Sequence, residues 1–365
     1  MSTYTRTGGA LLAAATALAL AALPASAPAQ TGQIAFARSV GAMHYTSTDA
    51  ATTIRVSLSN NTFTIDDEVP IQAQQGCAAV AGDATKVTCT AFKDSQPSFF
   101  KPFTVSAGGG ADTVENNTTK TNGVGAAMLA AGGDGNDTLV GADKVADRLH
   151  GGNAQDEIRG GNGTFGASDE LFGDGGNDTL IGGDSADNLV GGTGNDTLDG
   201  SDGGDRLNGG SGDDKIDGGK VDTLGPSGHD LVSYASSSQP VIVDLHRVSP
   251  QGETGENDQI LNVEDIEGSP EGDQLIGNDN ANGLFGLEGD DTLAGDKGID
   301  SLSGGDGDDV LLPSPDGFFT VFSDGVFDSM DCGEFGRSDG DPGDLAFRVL
   351  ADGDLVSDCA VVIDK

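Results

Sequence analysis

One aliphatic residue recurs every nine positions through much of this chain, and the positions around it are glycine or polar. The clearest copies are GGDGNDTLV at 132–140, GGTGNDTLD at 191–199, GGSGDDKID at 209–217 and GGDGDDVLL at 304–312. Two stretches keep the period without a gap, with turns that begin at Gly173, Gly182, Gly191, Gly200 and Gly209, and at Gly268, Gly277, Gly286, Gly295 and Gly304. A short repeat in constant phase predicts a solenoid.

Each nine-residue unit has two physical halves. The first six positions hold glycines and short polar residues, which favour a tight turn, and the last three alternate polar, apolar, polar, which predicts a short strand with one inward side chain. A disordered acidic linker would not keep this apolar position in phase. The residues predicted to point inward are Leu139, Leu149, Ile158, Leu171, Leu180, Leu189, Leu198, Leu207, Ile216, Leu231, Leu275, Leu284, Leu293, Leu302 and Leu311.

The acidic residue at the sixth position supplies the candidate chemistry. Two units complete a coil of eighteen residues, so the turns on one edge recur every second unit and their carboxylates stack in columns. The predicted columns are Asp178, Asp196 and Asp214 opposite Asp187 and Asp205, and then Asp273, Asp291 and Asp309 opposite Asn282 and Asp300. Carboxylate and carbonyl oxygens without imidazole or thiolate suit Ca²⁺ and do not suit zinc or copper.

The nonapeptide resembles the repeats-in-toxin, or hemolysin-type calcium-binding, family, and the chain looks like a secreted bacterial member. The resemblance implies an all-β fold, a calcium-bound parallel β-roll in which an ion lies between turns two units apart. Asn282 replaces the acid, and insertions precede Asp147, Asp169 and Asp230, so these four positions are expected to be weak or absent sites. The ligands implied are Asp137, Asp156, Asp178, Asp187, Asp196, Asp205, Asp214, Asp273, Asp291, Asp300 and Asp309.

The chain is expected to divide into segments around two arrays, 131–230 and 268–312. Residues 30–130 lack the phase and predict a small β domain, with a hairpin from 53–59 and 62–65 and a degenerate first turn in AGGGADTVE at 107–115. Residues 231–267 form a strand-rich insert that continues the strands. Residues 313–365 are expected to cap the open end of the roll.

The N-terminal residues and the cysteines indicate export. Residues 1–29 have a cationic start at Arg6, an apolar run from Leu11 to Leu23 and the small-residue pattern Ala27-Pro28-Ala29, as in a signal peptide. Four cysteines fit an oxidising compartment. Of the three possible connectivities, Cys77–Cys89 in the N-terminal domain and Cys332–Cys359 in the cap are favoured because they are local.

Charge and missing motifs narrow the function. A formal net charge of -41 excludes nucleic acid and anionic membrane surfaces as direct partners. The sequence contains no H-E-x-x-H and no P-loop, and its G-x-S-x-G match at 336–340 and G-x-G-x-x-G match at 161–166 lack the flanking elements that catalysis requires. The sequence therefore predicts a secreted, non-enzymatic calcium-binding protein without a membrane span, with a structural, adhesive or matrix role. The alternative is a secreted enzyme or effector with its chemistry in residues 30–130 and the roll as a stabiliser.

Overall fold

The computed structural model describes most of the chain between residues 32 and 312, and four short strands beyond it. The described ranges are 32–37, 42–47, 50–59, 62–73, 77–90, 102–118, 125–162, 167–220, 228–248, 251–298, 300–312, 329–331, 345–346, 355–357 and 361–362. The predicted signal peptide and the predicted Cys332–Cys359 pair lie outside these residues.

The described chain consists almost entirely of strands. Those before the repeats are β1 (Gly32–Ala37), β2 (Ala42–Thr46), β3 (Thr53–Ser59), β4 (Thr62–Asp66), β5 (Ile71–Gln72), β6 (Cys77–Val80), β7 (Asp83–Thr90), β8 (Phe103–Gly109) and β9 (Thr113–Asn117). Those of the first array are β10 (Met128–Asp134), β11 (Thr138–Val140), β12 (Arg148–Asn153), β13 (Glu157–Asn162), β14 (Glu170–Gly175), β15 (Thr179–Asp184), β16 (Asn188–Thr193), β17 (Thr197–Asp202), β18 (Arg206–Ser211) and β19 (Lys215–Asp217).

The strands continue through the insert and the second array. Those of the insert are β20 (Leu231–Ser233), β21 (Val241–Asp244), β22 (Gly252–Glu253), β23 (Gln259–Leu261) and β24 (Asp265–Glu267). Those of the second array are β25 (Gln274–Ile276), β26 (Gly283–Glu288), β27 (Thr292–Ala294), β28 (Ser301–Asp306) and β29 (Val310–Leu312). The last are β30 (Ser329–Asp331), β31 (Leu345–Ala346), β32 (Leu355–Ser357) and β33 (Val361–Val362).

Successive repeat strands alternate between two facing parallel sheets, which confirms the predicted β-roll. In one sheet β16 pairs with β18, so that Leu189 lies beside Leu207. In the other, β15 pairs with β17, and Leu180 lies beside Leu198. Because each partner is eighteen residues away, one coil holds two repeats, and the in-phase aliphatic residues stack as continuous rows between the sheets.

Several repeat strands are longer than the three residues predicted from the pattern, whereas β11, β19, β25, β27 and β29 have three. β17 runs from the seventh position of one repeat to the third position of the next and buries two inward positions, Leu198 and Gly200. The row of buried aliphatics follows the prediction except at one point. Leu231 is only partly buried, whereas Val232 is fully buried. The expectation for Leu231 was wrong because Asp230 holds the sixth position, which places the eighth position at Val232.

The insert at 231–267 continues one sheet and interrupts the other. β20 and β24 lie between β18 and β26, so one sheet of fifteen strands runs from the N-terminal strands past the second array. The opposite sheet ends at β23, and a new sheet starts when β21 pairs with β25. The strand-like pieces of the insert are therefore strands of the roll.

The N-terminal strands join the same two sheets. β2 pairs with β8 and β8 with β10, while β3 pairs with β9 and β9 with β11, all in parallel, so the degenerate turn at 107–115 lies in a coil of the roll. Five further strands add antiparallel pairs and short edges at this end. The predicted Cys77–Cys89 disulfide is present and joins β6 to β7. A small β domain was expected here, and its strands share the sheets of the roll.

Candidate metal-binding columns

The sixth-position aspartates form hydrogen-bonded columns along the edges of the roll. In each step the backbone N–H of one aspartate donates to the carboxylate Oδ1 of the aspartate one coil later. The N–H of Asp178 donates to Asp196 (2.7 Å), and the N–H of Asp196 donates to Asp214 (2.8 Å). This bond orients every carboxylate in the same way, and the columns arise directly from the eighteen-residue coil.

Three columns are defined by these bonds. Column one contains Asp112, Asp137, Asp156, Asp178, Asp196, Asp214 and Asp258. Column two contains Asp147, Asp169, Asp187, Asp205, Asp230, Glu264, Asn282 and Asp300. Two of its steps differ, because Asp230 N–H donates to Glu264 Oε2 and the Asn282 side-chain amide donates to the carbonyl of Glu264. Column three contains Asp273, Asp291 and Asp309. All of these side chains are buried.

The second carboxylate oxygen is the decisive feature of the columns. Among the described residues, no hydrogen-bond partner reaches the buried Oδ2 of Asp112, Asp137, Asp156, Asp178, Asp187, Asp196, Asp205, Asp214, Asp230 or Asp291. The ion pairs of the described lysines, arginines and histidines go to other acids. Burial of a carboxylate without a partner is strongly unfavourable, so each column requires a cation or a proton.

The first glycine of each repeat faces this oxygen. A Cβ added at Gly191 would overlap both Asp196 Oδ2 and the carbonyl oxygen of Gly209 one coil later, and Gly286 has the same relation to Asp291 and Gly304. Only glycine therefore leaves room where a carboxylate oxygen and a carbonyl oxygen converge. Buried, negatively charged, all-oxygen donors fit Ca²⁺, a hard cation that takes six to eight oxygen ligands.

The second glycine serves the turn and not the site. Gly192 has φ +112 and packs against the carbonyl of Asp174 in the preceding coil, where a Cβ would overlap the carbonyl oxygen. Glycine adopts this left-handed conformation without a steric penalty, which explains its recurrence at the position.

A family model described as RTX calcium-binding nonapeptide repeat (four copies) matches the two arrays. The matched segments are 131–164, 165–198, 199–220, 264–293 and 285–313. The chain carries RTX calcium-binding repeats. A comparison with curated proteins finds no match.

The RTX repeats bind calcium, and the structure brings every aspartate predicted as a ligand into a column. Their individual roles as ligands stay a prediction. Asp273 differs from the others because both of its oxygens accept hydrogen bonds, from the N–H of Ser269 to Oδ2 and from the N–H of Val241 to Oδ1. We expect it to hold an ion less strongly than Asp291.

The four doubtful positions fall into two groups. Asp169 and Asp230 keep their places in column two, because the chain returns to the same register after the insertions before them. Asp147 accepts hydrogen bonds at both oxygens, from Met128 N–H and Ala142 N–H. Asn282 uses its amide locally, accepting from the N–H of Asn278 and donating to the carbonyl of Glu264. These contacts favour weak binding at Asp147 and Asn282.

Two acidic residues of the insert belong to the columns but were missed by the sequence reasoning. Asp258 accepts the N–H of Asp214, and Glu264 accepts the N–H of Asp230. The signal was present, because each acid is followed two residues later by a buried isoleucine, Ile260 or Ile266. The insert therefore keeps the pattern of an acid followed two positions later by an aliphatic residue, although it lacks the glycines of the repeat.

Burial raises the pKa of the column carboxyls. It raises the pKa of Asp178 to about 6, of Asp187 to about 7 and of Asp205 to about 8, although a backbone N–H bond lowers each of them. Neighbouring acids add to the increase, as Asp230 does at Asp205. Without calcium, these three carboxyls of the folded roll therefore bind protons at a higher pH than a free aspartate does.

These pKa values predict that acid stabilises the calcium-free roll. The pKa of Asp187 in the folded state, about 7, lies above its ordinary value of 3.8, so the folded chain binds more protons than the unfolded chain between pH 3.8 and about 7. The resulting stability is complete below pH 3.8 and is lost as the pH rises through about 7. We expect calcium-free protein to show more β signal in circular dichroism, and a higher melting temperature, at pH 5 than at pH 8. Equal melting at both would contradict the prediction.

Proposed function

We propose that the protein is a secreted, non-enzymatic calcium-binding β-roll protein with a structural or adhesive role, whose arrays fold when they bind Ca²⁺ outside the cell. The observation that carries the calcium-coupled folding is the series of buried Oδ2 atoms without partners along the columns. These atoms disfavour folding until a cation arrives, and the apolar rows add only one aliphatic side chain per repeat.

The charge of the chain supports coupling between folding and export. At a net charge of -41, repulsion within the ion-free chain favours expanded conformations, which suits passage across a membrane. Each bound Ca²⁺ neutralises two negative charges, so folding and ion binding reinforce each other by linkage. The signal-peptide pattern of residues 1–29 supports the same destination. The described residues contain no helix with the length and apolar character that a membrane crossing requires.

The non-enzymatic role is supported by the distribution of the buried acids. In the arrays they stand in columns along the edges, each held by the backbone of the previous coil, an arrangement that suits repeated ion binding. To test this part, the mature full-length protein is assayed for hydrolysis of peptides, esters and glycans in millimolar calcium. Turnover that scales with protein concentration and survives rigorous purification would contradict the proposal and support the enzyme or effector alternative.

Calcium titration tests the folding part. We expect the mature protein to gain β signal with half-saturation between about 10⁻⁵ and 10⁻³ M. It should hold roughly six to ten ions, because the five unbroken turns of each array give three same-edge intervals and interrupted copies add a few. Circular dichroism gives the midpoint and native mass spectrometry gives the count. Fewer than about four ions, or β signal that is independent of calcium, would contradict the column mechanism.

A further inference from the structure

Column one loses its regular carboxylate at the N-terminal end of the roll. The backbone N–H of Thr52 donates to Asp112 Oδ1 (2.8 Å), the same contact that each aspartate makes with the next along the column. Thr52 therefore occupies the place of a sixth-position acid, and buried Ile54 follows two residues later as the aliphatic residue does in a repeat. A hydroxyl stands where the pattern would place a carboxylate.

A residue from outside the repeat pattern supplies the missing carboxylate. Asp67 directly follows β4, which runs antiparallel to β3, and this return brings its side chain to Thr52. The hydroxyls of Thr52 and Tyr45 donate to the two oxygens of Asp67, and the N–H of Glu68 donates to Oδ1 (2.6 Å). The donor to Oδ2 is a hydroxyl, which can rotate away from an ion, whereas at Asp147 and Asp273 it is a fixed backbone N–H. Asp67 is only 4% exposed. The antiparallel strands thus place the Asp67 carboxylate next to Thr52, at the N-terminal end of column one.

The oxygen atoms around this point are incompletely satisfied. Asp112 is 2% exposed and Ser47 is 8% exposed, yet Asp112 Oδ2 and Ser47 Oγ have no hydrogen-bond partner among the described residues. Thr52 contacts both acids, because its N–H donates to Asp112 Oδ1 and its hydroxyl donates to Asp67 Oδ1.

Among the described residues, no ion pair reaches this cluster. The ion pairs in the described N-terminal strands join Arg55 to Glu115 and Lys86 to Asp66 and Asp83, and none reaches Asp67 or Asp112. Two buried carboxylates joined through one residue, Thr52, are stable only with a bound cation or a proton. The donors are all hard oxygens, which favour a calcium ion over a transition metal.

We propose that Asp67 and Asp112 bind a further calcium ion at the N-terminal end of the roll, with the hydroxyl of Ser47 as an additional ligand. Asp67 and Ser47 lie outside every segment that the RTX model matches. This inference rests on the proposed function, which identifies calcium as the ion and Asp112 as one of its ligands. It adds a site that the antiparallel strands build. The ion would join the end strands to the first coil.

Ion counting with Asp67→Asn in the mature full-length protein tests the site. Native mass spectrometry at saturating calcium is expected to show one ion fewer than the wild type. The matched control is Asp66→Asn, which removes the same charge from a side chain that pairs with Lys86 on the surface, and it should keep the wild-type count. An unchanged count in Asp67→Asn would overturn the proposal and would mean that a proton neutralises the cluster.

Terbium luminescence gives a second readout, because Tb³⁺ replaces calcium at oxygen sites and is sensitised by nearby tyrosine. Tyr45 contacts Asp67, and Tyr234 contacts Asp258 at the other end of column one. In a Tyr234→Phe background, Asp67→Asn should remove most of the remaining emission, while Asp66→Asn should keep it. Emission that persists in Asp67→Asn would contradict the site.

Failure of this site can be separated from failure of the proposed function. If the wild type gains no β signal with calcium, the proposed function fails. If it folds with calcium but Asp67→Asn keeps its full ion count, only the additional site fails. If Asp67→Asn does not fold, the Ser47→Ala variant tests the site instead, because it keeps both carboxylates. We expect it to need several-fold more Tb³⁺ for half-maximal emission in the Tyr234→Phe background, and an unchanged midpoint would overturn the proposal.

Discussion

Removal of calcium from the mature protein is expected to unfold residues 131–312 while the N-terminal end keeps its structure. Most repeats of the first array bury one aliphatic side chain beside an acid whose Oδ2 has no hydrogen-bond partner among the described residues, so the arrays have little to oppose chain entropy without the ion. The N-terminal strands instead bury large side chains, among them Tyr45, Phe63 and Phe103, and a disulfide joins β6 to β7. Apolar burial of this size is independent of calcium.

Hydrogen exchange followed by mass spectrometry measures this difference segment by segment. In excess chelator, amides of the arrays should exchange rapidly, amides of β3, β4 and β7 should stay protected, and small-angle scattering should report an expanded chain. Magnesium serves as the control and should not restore protection, because it requires a small octahedral shell and releases its water reluctantly. Arrays that stay protected and compact in excess chelator would contradict the mechanism.

Asp196→Ala is expected to weaken calcium-induced folding more than Asp309→Ala. Asp196 lies mid-column, where its carboxylate accepts from Asp178 and its N–H donates to Asp214, so it adjoins ion positions on both sides. Asp309 accepts from Asp291 and is the last acid of column three within the described residues. We expect Asp196→Ala to raise the calcium midpoint of folding by about tenfold or more, since affinity depends on ligand charge.

A third variant makes this comparison specific for the columns. Asp199→Ala removes the same charge three residues away, from a partly buried side chain that accepts a hydrogen bond from Ser201 and belongs to no column. Its calcium midpoint, followed by circular dichroism, should stay near that of the wild type. Equal midpoints for the Asp196 and Asp309 variants would show that the eighteen-residue stacking does not govern binding.

The period of the sequence was sufficient to predict the parts of the molecule that repeat. A constant nine-residue phase places Leu198 inward and Asp196 in a column with Asp178 and Asp214, and the structure has these positions. The prediction needed no information from distant segments, because each coil contacts its neighbours in a fixed register.

The remaining features depend on contacts that have no period. Asp258 reaches Asp214 across 44 residues, and Glu264 reaches Asp230 across 34, because the insert lengthens the coil without changing its direction. Asp67 meets Thr52 through an antiparallel return. Neither spacing follows from the repeat, so phase alone could not assign these acids. The N-terminal strands were predicted as a separate small β domain because the alternation of polar and apolar residues indicates strands. It does not indicate which sheet those strands join.

The antiparallel strands at the N-terminal end have a consequence for assembly. A parallel roll ends in open strand edges onto which a second copy could stack, and head-to-tail stacking of this kind gives fibres. Here the outermost strands are the two-residue β5 in one sheet and the four-residue β6, tied to β7 by the disulfide, in the other. Such short edges do not match the register of a repeat strand, which disfavours the stacking of a second copy on this end of the roll.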